Sequence, residues 1–103
     1  MPAELTVIWW RDIPAQVVAK AGRTSAKAPL SDRFQEAIDV AAMRAGLIGT
    51  DEYLSEWRRA SKPCGDDLQA EADAEAARLE ADYDEDALAA LSRGGGFRPG
   101  EDA

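Results

Sequence analysis

The sequence has no histidine and one cysteine, Cys64. Without imidazole there is no common general base at neutral pH, no Ser-His or Cys-His pair, and not the commonest zinc ligand. One thiol cannot close an internal disulfide, nor build a structural zinc or iron–sulfur site alone. No glycine-rich phosphate loop follows an apolar run, since Gly94-Gly95-Gly96 comes after a helical pattern. The N-terminal apolar run stops at Arg11-Asp12 and has no basic region before it, so it reads as neither signal peptide nor membrane span. These absences lead to the expectation of a cytoplasmic protein that is not an enzyme and carries no metal or cofactor. Catalysis by carboxylates or lysine has no positive signal.

What is present is charge, unevenly placed. The net charge of the 103 residues is −8. Residues 1–62 hold nine Lys/Arg and eight Asp/Glu, whereas residues 63–103 hold three and twelve. Such an acidic excess argues against nucleic acid, whose non-specific binding depends on neutralising phosphates.

Leu5 to Trp10 is a short apolar run rich in β-branched and aromatic residues, and reads as a strand. Alternation places Trp9 and Trp10 on opposite faces, which suggests one core indole and one, Trp10, at an interface. Arg11-Asp12-Ile13-Pro14 reads as a turn. Residues 15–21 stay open between two readings. Val17 and Val18 favour a second strand in a hairpin, and Pro14 could also open a helix ending at Gly22. Residues 22–29 read as a loop. Ser31 is a good N-cap for a helix with Phe34, Ile38, Ala41 and Ala45 on one face, ending at Gly46. Thr50 opens another helix with Tyr53, Leu54 and Trp57 as its apolar positions, broken at residues 61–65. A final helix is expected from about Asp67 to Arg93, with a stripe of Leu68, Ala72, Ala76, Leu79, Tyr83, Ala87 and Leu91.

The expected fold is α+β: an N-terminal β-hairpin packed by two helices, then a long acidic amphipathic C-terminal helix. The division is an α/β module at 1–62, the acidic helix at 63–93 and a flexible tail at 94–103. A lone hairpin is marginal in water and needs helices packed on it, or strands from a partner.

Three constellations could carry function. Cys64 precedes a helix, but Asp66 and Asp67 oppose a thiolate, so an inert thiol is expected. Asp82, Asp84, Glu85 and Asp86 cluster, yet an EF-hand loop from Asp82 would need glycine where Ala87 stands, so a solvated helix face is expected. Arg11, Lys20, Arg23, Lys27 and Arg33 gather positive charge near the hairpin. They could dock an anionic ligand or acidic surface, or pair with the chain's own carboxylates.

The runs IWWRDIPAQVVAKAGR, LSDRFQEAIDVAAMRAG and GTDEYLSEWRR resemble a family of small bacterial virulence-factor domains, over roughly residues 4–60. In some members the domain precedes HEAT-type repeats; here an acidic helix follows, so repeat-mediated binding does not carry over. The resemblance implies no catalytic residues. It implies an accessory subunit of a one-carbon system, folate or corrinoid methyl transfer. It also implies that Trp10, Arg11, Asp12, Pro14 and Gln16 matter together. With Lys20 and Arg23 these form the expected binding residues. The leading expectation is an adaptor that binds another protein, or a second copy, through its hairpin edge or long helix. The alternative is a module that holds a small molecule or anionic cofactor at the Trp10-Arg11 turn.

Overall fold

The structure, a computed structural model, describes residues 3–97. Four strands form one antiparallel sheet: β1 (Ala3–Trp10), β2 (Ile13–Ala21), β3 (Thr24–Pro29) and β4 (Trp57–Cys64), in the order β3-β2-β1-β4. Four helices accompany it: α1 (Asp32–Arg44), α2 (Asp51–Ser55), α3 (Leu68–Asp82) and α4 (Glu85–Arg93). The fold is α+β, with three corrections to the expected arrangement. Residues 24–29, read as a loop, form β3. The second helix ends at Ser55 and residues 57–64 form β4. The long helix is two helices, broken at Tyr83.

Each correction has a physical cause. The hairpin of β1 and β2 leaves both outer edges unpaired, and the missing partners come from the same chain. Residues 57–60 have fair helix propensity and residues 61–64 read as a break, but strand pairing along all eight residues of β1 overrides both. At residue 84 a new N-cap competes with the helix. The Asp84 carboxylate accepts the Ala87 amide at 2.8 Å, with Glu85 and Asp86 in the first turn of α4. The apolar stripe therefore holds through Tyr83 and then resets to Leu88 and Leu91.

One face of the sheet carries Ala3, Leu5, Val7, Val17, Ala19 and Ala28, all buried. The small side chains on β2 and β3 let α3 lie close across those two strands. α1 packs on α4 and reaches the end of β2, burying Phe34, Ile38 and Ala41. Residues from α3 and α4 share one hydrophobic cluster with the sheet. The acidic C-terminal segment thus completes the core that begins in β1. Of the tail expected to be flexible, Gly94–Phe97 packs onto the Arg11 turn, and residues 98–103 lie outside the described residues.

Two carboxylates fasten α3. Glu80 accepts the Ser31 amide at 2.7 Å, the Ser31 hydroxyl at 2.9 Å and the Arg33 guanidinium at 2.8 Å. Ser31 caps α1 with its backbone in place but its side chain turned to Glu80. Partial burial opposes ionisation of Glu80, yet the Ser31 donors and Arg33 outweigh it and hold its carboxyl below the ordinary range. Glu75 is buried and bonded to Arg78. That bond, against the cost of burial and with Lys62 beside it, also lowers its pKa.

A folded pKa below the unfolded value, about 4.3 for glutamate, means these contacts stabilise the fold above that pH and are lost as pH falls through the folded pKa. Thermal midpoints should be nearly flat from pH 7 to about 5, then drop below about pH 4. Glu80→Gln should cost about 1–2 kcal/mol at pH 7 and make the acid drop shallower. Melts followed by circular dichroism check both; an unchanged acid slope would contradict the assignment.

Candidate functional site

Apart from the end row of Ile13, Trp10 and Trp57, where both indoles pack against Tyr53, the strand register assigns the second sheet face. Three rows run across β3, β2, β1 and β4: Ser25-Lys20-Glu4-Pro63, Lys27-Val18-Thr6-Ser61, and Pro29-Gln16-Ile8-Arg59. These residues are half-buried or exposed. α1 approaches only the last row, where Pro29, Leu30 and Ser31 lead into it beside Gln16 and Ile8. The rest forms a shallow basin of about 550 Å³ floored by Thr6, Ile8 and Val18. Thr6 and Ser61 share a hydroxyl–hydroxyl hydrogen bond of 2.8 Å on that floor.

Lys20, Lys27 and Arg59 stand on the face, and Arg23 in the β2–β3 turn lines the basin with them. Glu4 is the one carboxylate in the three rows. Among the described residues none of these four cations makes an ion pair. Neighbouring strands lie about 4.8 Å apart, so Arg59 stands three strands, about 14 Å, from Lys27, whereas Lys20 and Lys27 on adjacent strands fall within about a Debye length of each other. They repel each other on a chain whose net charge is −8. An apolar and hydroxyl floor ringed by unpaired cations suits a partner that brings carboxylates together with some apolar surface.

The expected binding residues divide into two groups. Gln16 and Lys20 lie on this face and Arg23 lies at its rim. Trp10 does not face a ligand: its side chain is 0% exposed and its indole N–H donates to the Tyr53 carbonyl at 3.0 Å. Pro14 is fully buried. The Arg11 side chain, 9% exposed, donates to the Gly95 carbonyl at 2.8 Å, sits 3.5 Å from Glu56, and stacks on Phe97 and Trp10. Asp12 faces Arg58 at 3.7 Å and its amide donates to the Gly96 carbonyl at 2.8 Å. The Trp10–Pro14 turn is therefore a clasp that holds α2 and residues 94–97 against the sheet. Arg11 itself adopts φ 54°, an unfavourable region for a non-glycine residue, which the clasp holds in place.

Of the gathered cations, Arg11 and Arg33 pair with the chain's own carboxylates. Lys20, Arg23 and Lys27 do not. Arg59, Thr6, Ile8 and Val18 complete the face and were missed, because residues 57–60 read as helix and because a strand's second face is defined only once its neighbours are known.

A family model described as Virulence factor matches residues 8–91. The chain belongs to the virulence factor family. The match extends from β1 through α4, past the stretch on which the resemblance was read, and takes in the helices that close the core. No curated protein and no solved structure gives a significant match.

Two other features singled out in the sequence, Cys64 and the carboxylates near residue 84, have local surroundings of their own in this family member. Partial burial, with the carboxylates of Glu71, Asp66 and Glu4 nearby, pushes the Cys64 thiol above its ordinary pKa. The acidic cluster is dispersed: Asp82 pairs with Arg78 at 3.0 Å and Asp84 caps α4. Among the described residues no group of three His, Cys, Asp or Glu is placed to hold a metal, and no helix is long and apolar enough to cross a membrane.

Proposed function

We propose that this protein is a non-catalytic adaptor that binds another protein through the open face of its sheet, and that the partner presents an acidic surface there. The observation that carries this reading is the set of unpaired cations, Lys20, Lys27, Arg59 and Arg23, ringing an uncovered floor of Ile8, Val18 and Thr6. Complementary charge gives a partner speed and register in docking, and the apolar floor gives it burial. Given the family resemblance, an enzyme of folate or corrinoid methyl transfer is the first partner to try, with this chain as its accessory subunit. The alternative, an anionic small molecule at the Trp10-Arg11 turn, has no observation in its favour, because the Trp10 indole has no free face.

The test is a triple charge reversal, Lys20→Glu, Lys27→Glu and Arg59→Glu. Among the described residues these side chains make no ion pair, so the thermal midpoint should shift by only a few degrees. Partner binding in about 0.1 M salt should fall by tenfold or more. Undiminished binding by a folded triple variant would refute the proposal.

A further inference from the structure

β4 is the least protected strand of the sheet. Arg58 through Pro63 are exposed, since α3 lies over β2 and β3 at the other side. Ordering eight residues costs conformational entropy, and β4 recovers one hydrogen-bond ladder and little burial. Among the described residues no strand pairs with its outer edge. The Arg11 amide donates to the Glu56 carbonyl at 3.4 Å, which fixes the alternation along the strand. Main-chain groups of Arg58, Ala60 and Lys62 face β1, and those of Trp57, Arg59 and Ser61 face outward.

The charge on this edge selects what can pair with it. β4 carries Arg58, Arg59 and Lys62 and no carboxylate. Arg58 and Lys62 pair with Asp12 and Glu75, so pairing with a second copy would set the unpaired Arg59 against its own kind, which is unfavourable across strands. An acidic strand meets no such barrier. On the helix side of β4, a notch of about 160 Å³ opens between Leu5, Val7, Trp9, Ala60, Lys62 and Glu75. It offers an apolar side chain a place beside the Trp9 ring.

We propose that β4 accepts an extended acidic segment of the partner as a fifth strand. Its backbone pairs with Trp57, Arg59 and Ser61, its carboxylates lie beside Arg59 on the open face, and on the helix face an apolar side chain enters the notch. This rests on the reading of the protein as a protein-binding adaptor and names the form the partner takes.

The test uses the full chain, an acetylated peptide of four Glu-Val repeats, and a Lys-Val peptide as control, with amide hydrogen exchange read by NMR. The Glu-Val peptide should slow exchange of the Trp57, Arg59 and Ser61 amides at least tenfold, and the Lys-Val peptide should not. Ser61→Pro removes one outward N–H at an edge position where proline is tolerated, and should weaken the peptide at least tenfold; loss of the Thr6 hydroxyl bond should lower the thermal midpoint by only a few degrees. Should that variant unfold, Arg59→Glu carries the test with the same expected loss. No protection of the three amides at millimolar peptide, or full binding by both variants, would overturn the strand addition. If that happens while the triple charge reversal still abolishes partner binding, only the strand addition falls and the open-face reading stands.

Discussion

Replacing Trp10 with alanine should cost the fold about 3–5 kcal/mol. The side chain is fully buried where the end of the sheet meets α2 and the segment after α4. Its ring lies 5.6 Å from that of Tyr53, which in turn meets Trp57 edge-on at 6.2 Å. Truncation removes the largest fully buried side chain and leaves the Tyr53 carbonyl without its donor. A domain of this size holds about 5–15 kcal/mol in total, so the variant should be largely unfolded at moderate urea. Trp10→Phe separates the two losses. It keeps most of the burial and forfeits the hydrogen bond, and should cost about 1–2 kcal/mol. Urea titrations followed by circular dichroism give both values. A Trp10→Ala loss below about 1 kcal/mol would mean that the turn is not the clasp described.

Gly96→Ala should cost about 2–4 kcal/mol, from two sources that a control can separate. Gly96 has φ +98°, and a Cβ there would lie 2.9 Å from Trp10 Cζ3 and 3.2 Å from Arg11 Cβ. The backbone conformation accounts for about 1–2 kcal/mol and the clash for about 1–3 kcal/mol. Gly49 has φ +78° and nothing within 4 Å of its would-be Cβ. Gly49→Ala should therefore show the backbone cost alone, about 1–2 kcal/mol. Equal losses at the two sites would show that residues 94–97 do not press on Trp10.

These variants bear on how far the fold could be read from the sequence. β1 and α1 were legible because each carries its own signal: a β-branched and aromatic run in one, a cap and a single apolar face in the other. Val17 and Val18 correctly favoured a strand for residues 15–21. β3 was not legible, since Thr-Ser-Ala-Lys-Ala-Pro has little strand propensity and is recruited by the free edge of β2. β4 was hidden for a like reason, and with it Arg59. The α3–α4 break lies in Asp82-Tyr83-Asp84, residues of low helix propensity set between two runs rich in Ala, Leu and Glu, and the apolar spacing across it masked the cap at Asp84.

The site followed the same pattern. Lys20 and Arg23 stood out as local charge near a turn and Gln16 through the family resemblance, and the structure places Gln16 and Lys20 on the open face and Arg23 at its rim. Trp10 and Arg11 were read as contact residues because tryptophan and arginine are common at interfaces. Their burial depends on Tyr53 and on residues 94–97, which are distant in sequence. The acidic face of α3 and the basic sheet face lie on one small domain, yet Lys20, Lys27 and Arg59 pair with none of those carboxylates, because the sheet stands between them.

The central claim, that this open face is where the partner sits, has a direct measurement. A photo-crosslinking amino acid is placed at Val18, in the middle of the basic face, and in a second chain at Met43, which is 67% exposed on α1 beside the apolar Val40. Irradiation should link position 18 to a protein whose contacted segment is rich in Asp and Glu, and position 43 should give no such product. Adducts from position 43 with none from position 18, or from position 18 only to a second copy of this chain or to nucleic acid, would contradict the account.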